Sequence, residues 1–502
     1  MFFKQKQTGD STQPPSVQEA RERLTKAMSS NPDLTFRTIL CSDNNAVLIA
    51  YLVNLVDIRS LSEDIIKPIQ KESSTSIGIE ELNQIISTGN ISAAEGREHA
   101  VQSLLTGAVY LYSSKEKKSL LVHIPHLDER SIDKAETESL VFGPKISFTE
   151  SIGKNINMIR ANINDPKLRT DKVTIGERVK TEIRIVYIED IADPENVQTV
   201  KQRISGIVID DVLDSSVLVQ LIEDNSFTIF PQFLLSELPD RFSYSILRGK
   251  VGILVDRSPT AILTPTQFLS FFESTEDVYM RWNLSTFIRF LRFAAMLISV
   301  FATPAYVAAL TYHYEVIPSA LMISLGQSRA NVPFPPVFEA LLFEFIIELL
   351  REAGARLPTK VGQTMGIVGG IVIGQASVQA GFTSNILIII IALSALGSFT
   401  APSYMMGSAI RIARFPMIIL AGFLGLIGIM FGLCFILLHL LKLTTLGRPY
   451  LAPIYPFRKE DLKYSLFRLP VQYLAKRPIT NSPIDYEIFP RRLAEKKRDT
   501  DE

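Results

Sequence analysis

The residues from 362 to 382, here called the glycine helix, combine residue types that could form a path for ions. Residues four apart lie on one face of a helix, and a strip of glycines there lets a neighbouring helix approach closely. This strip consists of Gly362, Gly366, Gly370 and Gly374. The opposite side carries a stripe with polar ends, which consists of Thr364, Val368, Ile371, Gln375, Val378 and Gln379. Amides within an apolar span need water or a partner helix, so the stripe either lines a conduit or bonds to adjacent helices.

Three glutamates form a second group that could act on ions. Glu344, Glu348 and Glu352 repeat every four residues along one face of a predicted apolar helix over residues 337–355. Glu348 and Glu352 each have an arginine three or four positions further on, whereas Glu344 has none and is expected to need water or another subunit. Symmetric copies of this helix would place acidic rings that favour cations at a pore mouth. The alternative is an amphipathic helix on a membrane surface with Glu344 solvated.

The elements that position these residues belong to a chain whose two halves differ in charge and hydrophobicity. The 502 residues include 52 basic and 52 acidic side chains, a balance that argues against a general nucleic-acid binder. Residues 1–282 are rich in charge, whereas residues 283–441 contain several segments long enough to cross a bilayer. The sequence therefore predicts an α+β cytoplasmic part, made of two small α/β modules, followed by an α-helical multi-span membrane domain. The start of the chain lacks the pattern of a secretory signal peptide, so the soluble half is expected to stay in the cytoplasm.

Composition divides the chain into six predicted regions. They are a flexible N-terminal arm (1–32), a first soluble module (33–138), a second soluble module with a mixed sheet (139–265), an amphipathic interfacial linker helix (266–282), a membrane domain (283–445) and a polar C-terminal tail (446–502). The aromatic residues of the linker are typical of a helix at the level of the lipid headgroups. The tail is expected to be solvated and partly disordered, since it is polar and rich in proline.

The membrane domain is predicted to contain about four spans. They are residues 287–310, the glycine helix, residues 385–399 and residues 417–441. Residues 316–328 are apolar but too short to cross, which indicates a re-entrant or interfacial segment. Four spans would leave both termini inside. Arg411 and Arg414, between the last two spans, then satisfy the positive-inside rule only if one span is miscounted or re-entrant.

The sequence contains no recognisable motif for catalysis. We find no glycine-rich nucleotide loop, Walker-type lysine, nucleophile elbow or paired-histidine motif. Cys41 and Cys434 have neither metal-ligand spacing nor a plausible disulfide partner. We therefore predict no enzyme activity, no catalytic residues, no metal and no cofactor.

Short motifs along the chain resemble the A subunits of the GerA-type spore germinant receptors. The motifs are Phe142–Lys145, Leu221–Asp224, Phe230–Gln232, Leu254–Asp256, Arg289–Phe293, Asn331–Pro336, Glu348–Gly354, Arg356–Pro358, Gly362–Thr364, Val368–Gly370 and Gly374–Ala376. The similarity extends over nearly the whole chain from about residue 140. The first module and the tail are weakly matched, so receptor-specific features are expected there.

The resemblance implies a subunit of a nutrient sensor in the inner membrane of a bacterial endospore. It implies a permease-like B subunit and a lipoprotein C subunit as partners, with the soluble modules on the core side and the nutrient bound by the B subunit. It also implies that the A subunits form a ring, expected to be a pentamer, which acts as a nutrient-gated channel for monovalent cations. The glycine helix would line the pore, with Ile371 at or near its narrowest point and Gln375 and Gln379 as polar lining.

Two other functions are compatible with the sequence. One is a channel of the paralogous SpoVAF type, which would amplify ion release during germination without sensing a nutrient. The other is a secondary transporter or a membrane scaffold, which would show no conductance. Paired inverted repeats would favour a transporter, and the sequence shows none.

Overall fold

Two antiparallel β-sheets and a group of long apolar helices follow one another along the chain. The computed structural model describes residues 14, 16–29, 31–42, 45–73, 77–88, 90–126, 135, 138, 140, 142–357, 370 and 372–490. Within these residues, two α/β modules precede the helical part. The predicted fold class is confirmed.

The first module is built on a five-stranded sheet. Its strands are Leu34–Leu40 (β1), Ala46–Leu52 (β2), Ile91–Ala93 (β3), Ala108–Ser113 (β4) and Lys118–His123 (β5). They lie in the order β1-β2-β4-β5-β3, and every pair is antiparallel. Successive side chains of a strand point to opposite faces: Val109 and Leu111 of β4 join the core on one face, and Tyr110 and Tyr112 join the core on the other. This central strand is buried throughout because both of its faces are covered.

Helices cover both faces of this first sheet. They are Val17–Ala27 (α1), Ile79–Ile85 (α2), Arg97–Leu105 (α3) and a continuous helical stretch made of Ile58–Ser60, the π-helical Leu61–Ile66 and Lys67–Lys71. Ala20 and Leu24 of α1 are buried against the sheet. The predicted N-terminal arm thus contains a short helix, α1, which is packed rather than flexible because the spacing of these apolar residues gives it a face that contacts β2 and β4.

The second module repeats the strand order of the first. Its strands are Leu168–Ile175 (β6), Thr181–Ile188 (β7), Leu234–Ser236 (β8), Val251–Val255 (β9) and Ala261–Thr264 (β10), and its helices are Ile152–Asn162 (α4), Pro194–Ser205 (α5), Ser215–Ile222 (α6) and Pro239–Ile246 (α7). The sheet order is β6-β7-β9-β10-β8, with antiparallel pairs only. The predicted mixed sheet is wrong. Alternation of helices and strands suggested parallel crossovers, but each strand of this sheet is antiparallel to the strands beside it.

One buried carboxylate joins the two modules. Asp33, just before β1, accepts hydrogen bonds from Arg160 Nη2 of α4 at 2.8 Å and from Arg184 Nη1 of β7 at 2.9 Å. Asp33 and Arg160 are almost fully buried. Removing one partner of such a pair leaves uncompensated buried charge, which is strongly destabilising.

Replacing Asp33 by asparagine should therefore loosen the contact between the modules. We expect a loss of about 3 kcal/mol in the free energy of unfolding, measured by thermal and urea unfolding of the purified chain. Asp190→Asn is the matched control, because its ion pair with Lys167 is solvent-exposed and should contribute less than about 1 kcal/mol. Equal effects of the two substitutions would contradict the importance of the buried contact.

The linker between the soluble and helical parts is not one amphipathic helix. It contains a 3-10 helix, Phe268–Phe272, and a short α-helix, Glu276–Tyr279. Leu269, Phe271 and Phe272 are buried, and the two phenylalanines belong to the core of the second module. The prediction that these aromatic residues lie among lipid headgroups is wrong, since the protein's own core covers them.

The polar tail folds back onto the second module. It contains the two-residue strands Thr444–Thr445 (β11) and Arg448–Pro449 (β12). Tyr450 is fully buried and donates a hydrogen bond to the carbonyl oxygen of Pro231 at 2.7 Å. Arg477 Nε donates to the carbonyl oxygen of Leu247 at 2.8 Å. The prediction of a solvated, partly disordered tail is wrong for residues 444–490.

The helical part consists of long apolar helices. They are Trp282–Thr311 (α8), Ser319–Arg329 (α9), Pro336–Arg356 (α10), Asn385–Phe399 (α11) and Tyr404–Lys442 (α12), and Lys459–Ser465 (α13) follows in the tail. Residues 372–379 of the glycine helix are also helical. Of the helices within the described residues, α8 and α12 are long and apolar enough to cross a membrane, and α11 is a shorter apolar helix.

α12 is a helical hairpin that reverses at Gly425. This residue has φ +63° and ψ −140°, outside the helical region. A Cβ atom placed on Gly432 would clash with the Sδ atom of Met417, although residues 15 apart in a straight helix are separated by roughly 22 Å. A Cβ atom on Gly428 would clash with the carbonyl oxygen of Leu420. The arms, residues 404–424 and 426–442, therefore pack against each other with glycine at their closest contacts.

The helices around α8 run alternately towards and away from the soluble modules. α11 runs opposite to α8, because Ser384 at the start of α11 contacts Tyr306 near the end of α8, whereas Gly397 packs against Ala295 in the first half of α8. The first arm of α12 runs with α8, and its Met406 lies in the core of the second module. The second arm returns to the same core. Both the start of α8 and the end of α12 are thus held at the soluble modules.

Candidate functional site: the polar ladder between the apolar helices

The predicted pore stripe lies only partly within the described residues. Of its six members, Gln375 and Gln379 are exposed and Val378 is half-buried. The other three, Thr364, Val368 and Ile371, lie outside the described residues. Among the residues that the structure describes, no hydrogen bond engages the amides of Gln375 and Gln379, and their role as pore lining stays a prediction.

The glycine strip has no neighbour in the described part of the chain. A Cβ atom built on Gly370 or on Gly374 would meet no atom within 4 Å, and the other two glycines, Gly362 and Gly366, lie outside the described residues. In α11 and α12, by contrast, Gly397, Gly422, Gly428 and Gly432 all contact other segments closely. The two described glycines of the strip therefore have no packing partner among the residues that the structure describes.

Three glutamates of α10, Glu339, Glu344 and Glu348, pair with arginines of neighbouring helices or of α10 itself and form three levels, which we call the polar ladder. Ionisable groups inside apolar helix bundles are costly and mark functional positions. The near level lies towards the soluble modules, the middle level is centred on Glu344, and the far level is centred on Glu339. α10 supplies the carboxylate at each level, because its glutamates at 339, 344 and 348 point into the group of helices.

The middle level contains the most completely buried ion pair. Arg414 Nη1 of α12 donates to Glu344 Oε2 at 2.6 Å, and both side chains are less than 5% exposed. Thr303 of α8 donates to the other carboxylate oxygen at 2.9 Å. Arg414 Nη2 also donates to Ser299 Oγ at 2.5 Å and to the carbonyl oxygen of Ser394 at 3.1 Å. One arginine thus connects all four helices.

This contact corrects two predictions. Glu344 was expected to need water or another subunit, but its partner Arg414 lies in the same chain, and both of its carboxylate oxygens are engaged. It is neither solvated nor free to serve at a pore mouth. Arg411 and Arg414 were expected between two spans, whereas both lie inside the first arm of α12. The predicted span 417–441 therefore has the wrong bounds, which is the kind of miscounting that the positive-inside argument allowed for.

The near level contains the predicted pair of Glu348 with Arg351. Arg351 Nη1 lies 3.2 Å from Glu348 Oε2, and Arg411 Nε of α12 lies 3.2 Å from Oε1 of the same carboxylate. The Glu348 side chain is 42% exposed. One turn further, Arg356 Nε donates to the exposed Glu352 at 2.9 Å, as its spacing predicted. Assignment of Glu348 and Glu352 to an acidic pore mouth stays a prediction.

The far level was missed by the sequence analysis. Glu339 is fully buried and accepts hydrogen bonds from the backbone N of Ser384 at 2.7 Å and from Thr383 Oγ1 at 3.1 Å. Arg329 Nη1 of α9 lies 3.0 Å from its other oxygen. Glu339 stands five residues before Glu344, outside the four-residue repeat, although an acid in the first turn after Pro335 and Pro336 is a recognisable helix-start signal.

The ladder is suited to holding helices in register rather than to binding cations. Among the described residues, each carboxylate of the ladder is paired with an arginine of the same chain. Pairs of this kind in an apolar interior are costly to separate. A movement of α10 relative to α11 and α12 must therefore shift whole pairs, which gives the helix group a small number of stable arrangements.

Comparisons with known proteins cover both modules and all three levels of the ladder. Residues 22–480 match the family described as Bacillus/Clostridium GerA spore germination protein. The chain is 45% identical to spore germination protein GerQA of Bacillus cereus, over 88% of each chain. It is 36% identical to spore germination protein B1 of Bacillus subtilis (strain 168), over 93% of this chain and 98% of that protein. The crystal structure of the N-terminal domain of the A subunit of the Bacillus megaterium spore germinant receptor GerK3 aligns with 52% of this chain and 98% of that chain, at 28% identity and a TM-score of 0.41.

Proposed function

Because the chain belongs to the family of GerA spore germination proteins, we propose that it is the A subunit of a nutrient germinant receptor. In this proposal several copies, expected to be five, assemble into a ring that forms a nutrient-gated channel for monovalent cations. Release of these ions triggers germination. A permease-like B subunit, which binds the nutrient, and a lipoprotein C subunit complete the receptor.

The observation that carries this proposal is the open space beside the described part of the glycine helix. A Cβ atom added to Gly370 or Gly374 would meet no atom of the described residues within 4 Å, and the amides of Gln375 and Gln379 are exposed. The neighbouring helices, in contrast, bury their polar side chains in the polar ladder. Amides within a membrane need water or a partner, and a bare glycine face favours close helix packing. Further copies of the chain supply the packing partner, and a central pore supplies the water.

The proposed location is the inner membrane of the spore, with the helical part inside the bilayer. Large apolar side chains are exposed on the outer faces of its helices, as expected of residues in contact with lipid. They include Leu291, Leu297, Ile389, Leu393, Leu396, Phe423, Phe431 and Phe435. The soluble modules then lie on the core side, together with the folded tail.

The positions of the two ends of the helical part indicate that the chain crosses the bilayer an even number of times. Arg289 of α8 donates to Asp277 of the linker at 2.8 Å, and His439 of α12 is hydrogen-bonded to Thr228 of the second module at 2.7 Å. Both ends therefore lie on one side of the bilayer. α8, α10, α11 and the two arms of α12 account for five crossings, so the glycine helix must supply the sixth. We accordingly revise the predicted four spans to six.

The proposed gate follows from the stripe on the glycine helix. Copies of Ile371 surround the axis at the narrowest point and keep the closed pore dry, because an apolar constriction excludes water. Gln375 and Gln379 line the wider part of the pore. A small rotation of the helices, which the glycine strip permits, widens and wets the constriction. Glu352, exposed at the modules' end of α10, attracts cations to the mouth.

Assembly through the glycine strip can be tested with Gly374→Leu. In a single copy the new side chain meets open space, so the fold should persist, whereas a neighbouring subunit would be pushed away. We expect the purified protein in detergent to change from a ring to monomers, as measured by mass photometry. Gly354→Leu is the matched control, since Gly354 of α10 also has no atom near its Cβ position. A monomeric wild-type protein, or an unchanged ring in Gly374→Leu, would contradict the proposal.

A further inference from the structure

The segment that connects α6 to β8, residues 223–233, presents a bare phenylalanine ring; we call it the α6–β8 loop. Phe227 is fully exposed, and no other large apolar side chain among the described residues is as exposed. Ile229, two residues further on, is exposed as well. Single exposed apolar residues are common on protein surfaces. The meaning of this one therefore depends on whether the loop is ordered and on where it lies.

Hydrogen bonds hold the α6–β8 loop in one shape. The buried side chain of Gln232 accepts a hydrogen bond from the backbone N of Asp224 at 2.9 Å and donates one to the carbonyl oxygen of Asn225 at 2.6 Å. The side chain of Asn225 in turn accepts a hydrogen bond from the backbone N of Phe227 at 2.9 Å. A bond of this kind from an asparagine fixes a turn. Phe227 is thus held at the tip of an ordered loop rather than folded into the core of the module.

The tip of the loop lies beside the end of α12. Thr228, next to Phe227, is hydrogen-bonded through Oγ1 to Nε2 of His439, in the last turn of α12, at 2.7 Å. The ring of Phe230 lies against the same imidazole, with 6.0 Å between the ring centroids. Contacts on both sides of the tip therefore place Phe227 where the second arm of α12 reaches the second module.

The apolar surface of α12 ends at this same level. Leu438 and Leu441, which flank His439 in the sequence, are exposed, and the basic Lys442 is the last residue of the helix. In proteins that cross a bilayer, basic residues at the end of an apolar helix lie among the lipid headgroups. Phenylalanine side chains at this depth reach the boundary between the headgroups and the acyl chains.

We propose that the α6–β8 loop inserts Phe227 into this boundary, with Ile229 beside it, so that the partner of the loop is the lipid bilayer. Such a contact rests on the proposed placement of α8 and α12 in the membrane, and it adds an anchor that belongs to no spanning helix. Lipid is the occupant because the loop continues the exposed apolar surface of α12. The second module is then held at a fixed height, since lifting it from the membrane would return the ring to water.

The test uses tryptophan fluorescence, because the chain has a single tryptophan, Trp282. Trp282→Phe provides a background into which one new tryptophan is introduced at a time. The full-length variants are purified and reconstituted into vesicles of phosphatidylglycerol and phosphatidylcholine, with bromine atoms, which quench tryptophan, either near the headgroups or near the ends of the acyl chains. We expect Phe227→Trp to show blue-shifted emission and to lose most of its fluorescence to bromines near the headgroups, but little to bromines near the chain ends.

Two other positions serve as controls. Phe431 of α12 is exposed and lies eight residues before His439, roughly 12 Å further into the bilayer along the helix, so Phe431→Trp should be quenched most by the deeper bromines. Leu40, at the end of β1, is exposed on the first module, whose cores among the described residues contain none from α8 to α12. Leu40→Trp should therefore keep its fluorescence in both kinds of vesicle.

Quenching of Phe431→Trp without quenching of Phe227→Trp would overturn the insertion of the loop and leave the helices in the bilayer. Blue-shifted emission of Phe227→Trp without quenching would also overturn it, because the ring would then lie against protein, as in a contact with a neighbouring copy. No quenching of Phe431→Trp would contradict the placement of α12 in the membrane, and the insertion would fail with it. Ion conduction is not measured, so a failure of the channel would leave these results unchanged.

Discussion

Replacing Arg414 by methionine should destabilise the protein more than any other single change in the polar ladder. The substitution leaves the Glu344 carboxylate buried between four apolar helices without its counter-charge, and it removes the bonds to Ser299 and Ser394. Breaking a buried pair on one side costs about 3–5 kcal/mol. We expect a much lower melting temperature of the purified chain in detergent and a loss of receptor from spores.

A double variant separates the cost of the orphaned charge from the loss of packing. Glu344→Leu combined with Arg414→Met removes both charges, and replacing a buried pair by apolar residues is often neutral or stabilising. The double variant should therefore melt closer to the wild type than Arg414→Met does. Arg356→Met, which breaks an exposed pair, should cost at most about 1 kcal/mol. A single variant as stable as the wild type, or a double variant no better than the single one, would show that the ladder does not hold the helices.

The ladder also shows where inference from local spacing ends. The pairs of Glu348 with Arg351 and of Glu352 with Arg356 could be predicted, because residues three or four apart on a helix are neighbours. The partner of Glu344 lies 70 positions further along the chain, on a helix whose placement depends on the whole fold. The sequence therefore identified the acid as unusual but assigned it the wrong environment.

Glycine explains a second difference between prediction and structure. Residues 417–441 form one uninterrupted apolar run, so hydropathy predicts a single span. The structure turns the chain back at Gly425, where a positive φ favours a residue without a Cβ atom. Gly428 and Gly432 then let the two arms touch. The recurring glycines in the sequence indicate such a turn and such close packing, but a hydropathy average does not detect them.

The prediction of a disordered tail is wrong because it rested on average composition rather than on individual contacts. Its average composition is polar and rich in proline, which is typical of disorder. In the structure its charged groups are paired with the second module, as Arg448 is with Asp193 at 2.5 Å, and a few apolar residues such as Leu446 and Tyr450 complete existing cores. The β4–β5 hairpin and strands β9 and β10, by comparison, are short apolar runs bounded by turns, and such local patterns can be recognised in the sequence.

Substituting Ile371 by alanine should make spores release monovalent ions in the absence of nutrient. In the proposed ring, the side chains at this position form the apolar constriction that keeps the closed pore dry. Removing three carbon atoms from every copy widens the constriction at one level and weakens the exclusion of water. We expect spontaneous germination, with ion release approaching the rate of wild-type spores given nutrient, measured as potassium efflux from purified spores.

The control for this experiment is Val372→Ala on the same helix. Val372 is 56% exposed and lies at the edge of the stripe, where it points about 100° away from Ile371 around the helix. Val372→Ala removes two aliphatic carbon atoms, a change similar in kind to that in Ile371→Ala. A general loosening of the helix would therefore make spores of both variants release ions. Leakage confined to Ile371→Ala therefore indicates a constriction at that level. If spores of neither variant release potassium in the absence of nutrient, the gate lies elsewhere. Equal release by both variants would mean that helix packing, not a ring of isoleucines, closes the pore.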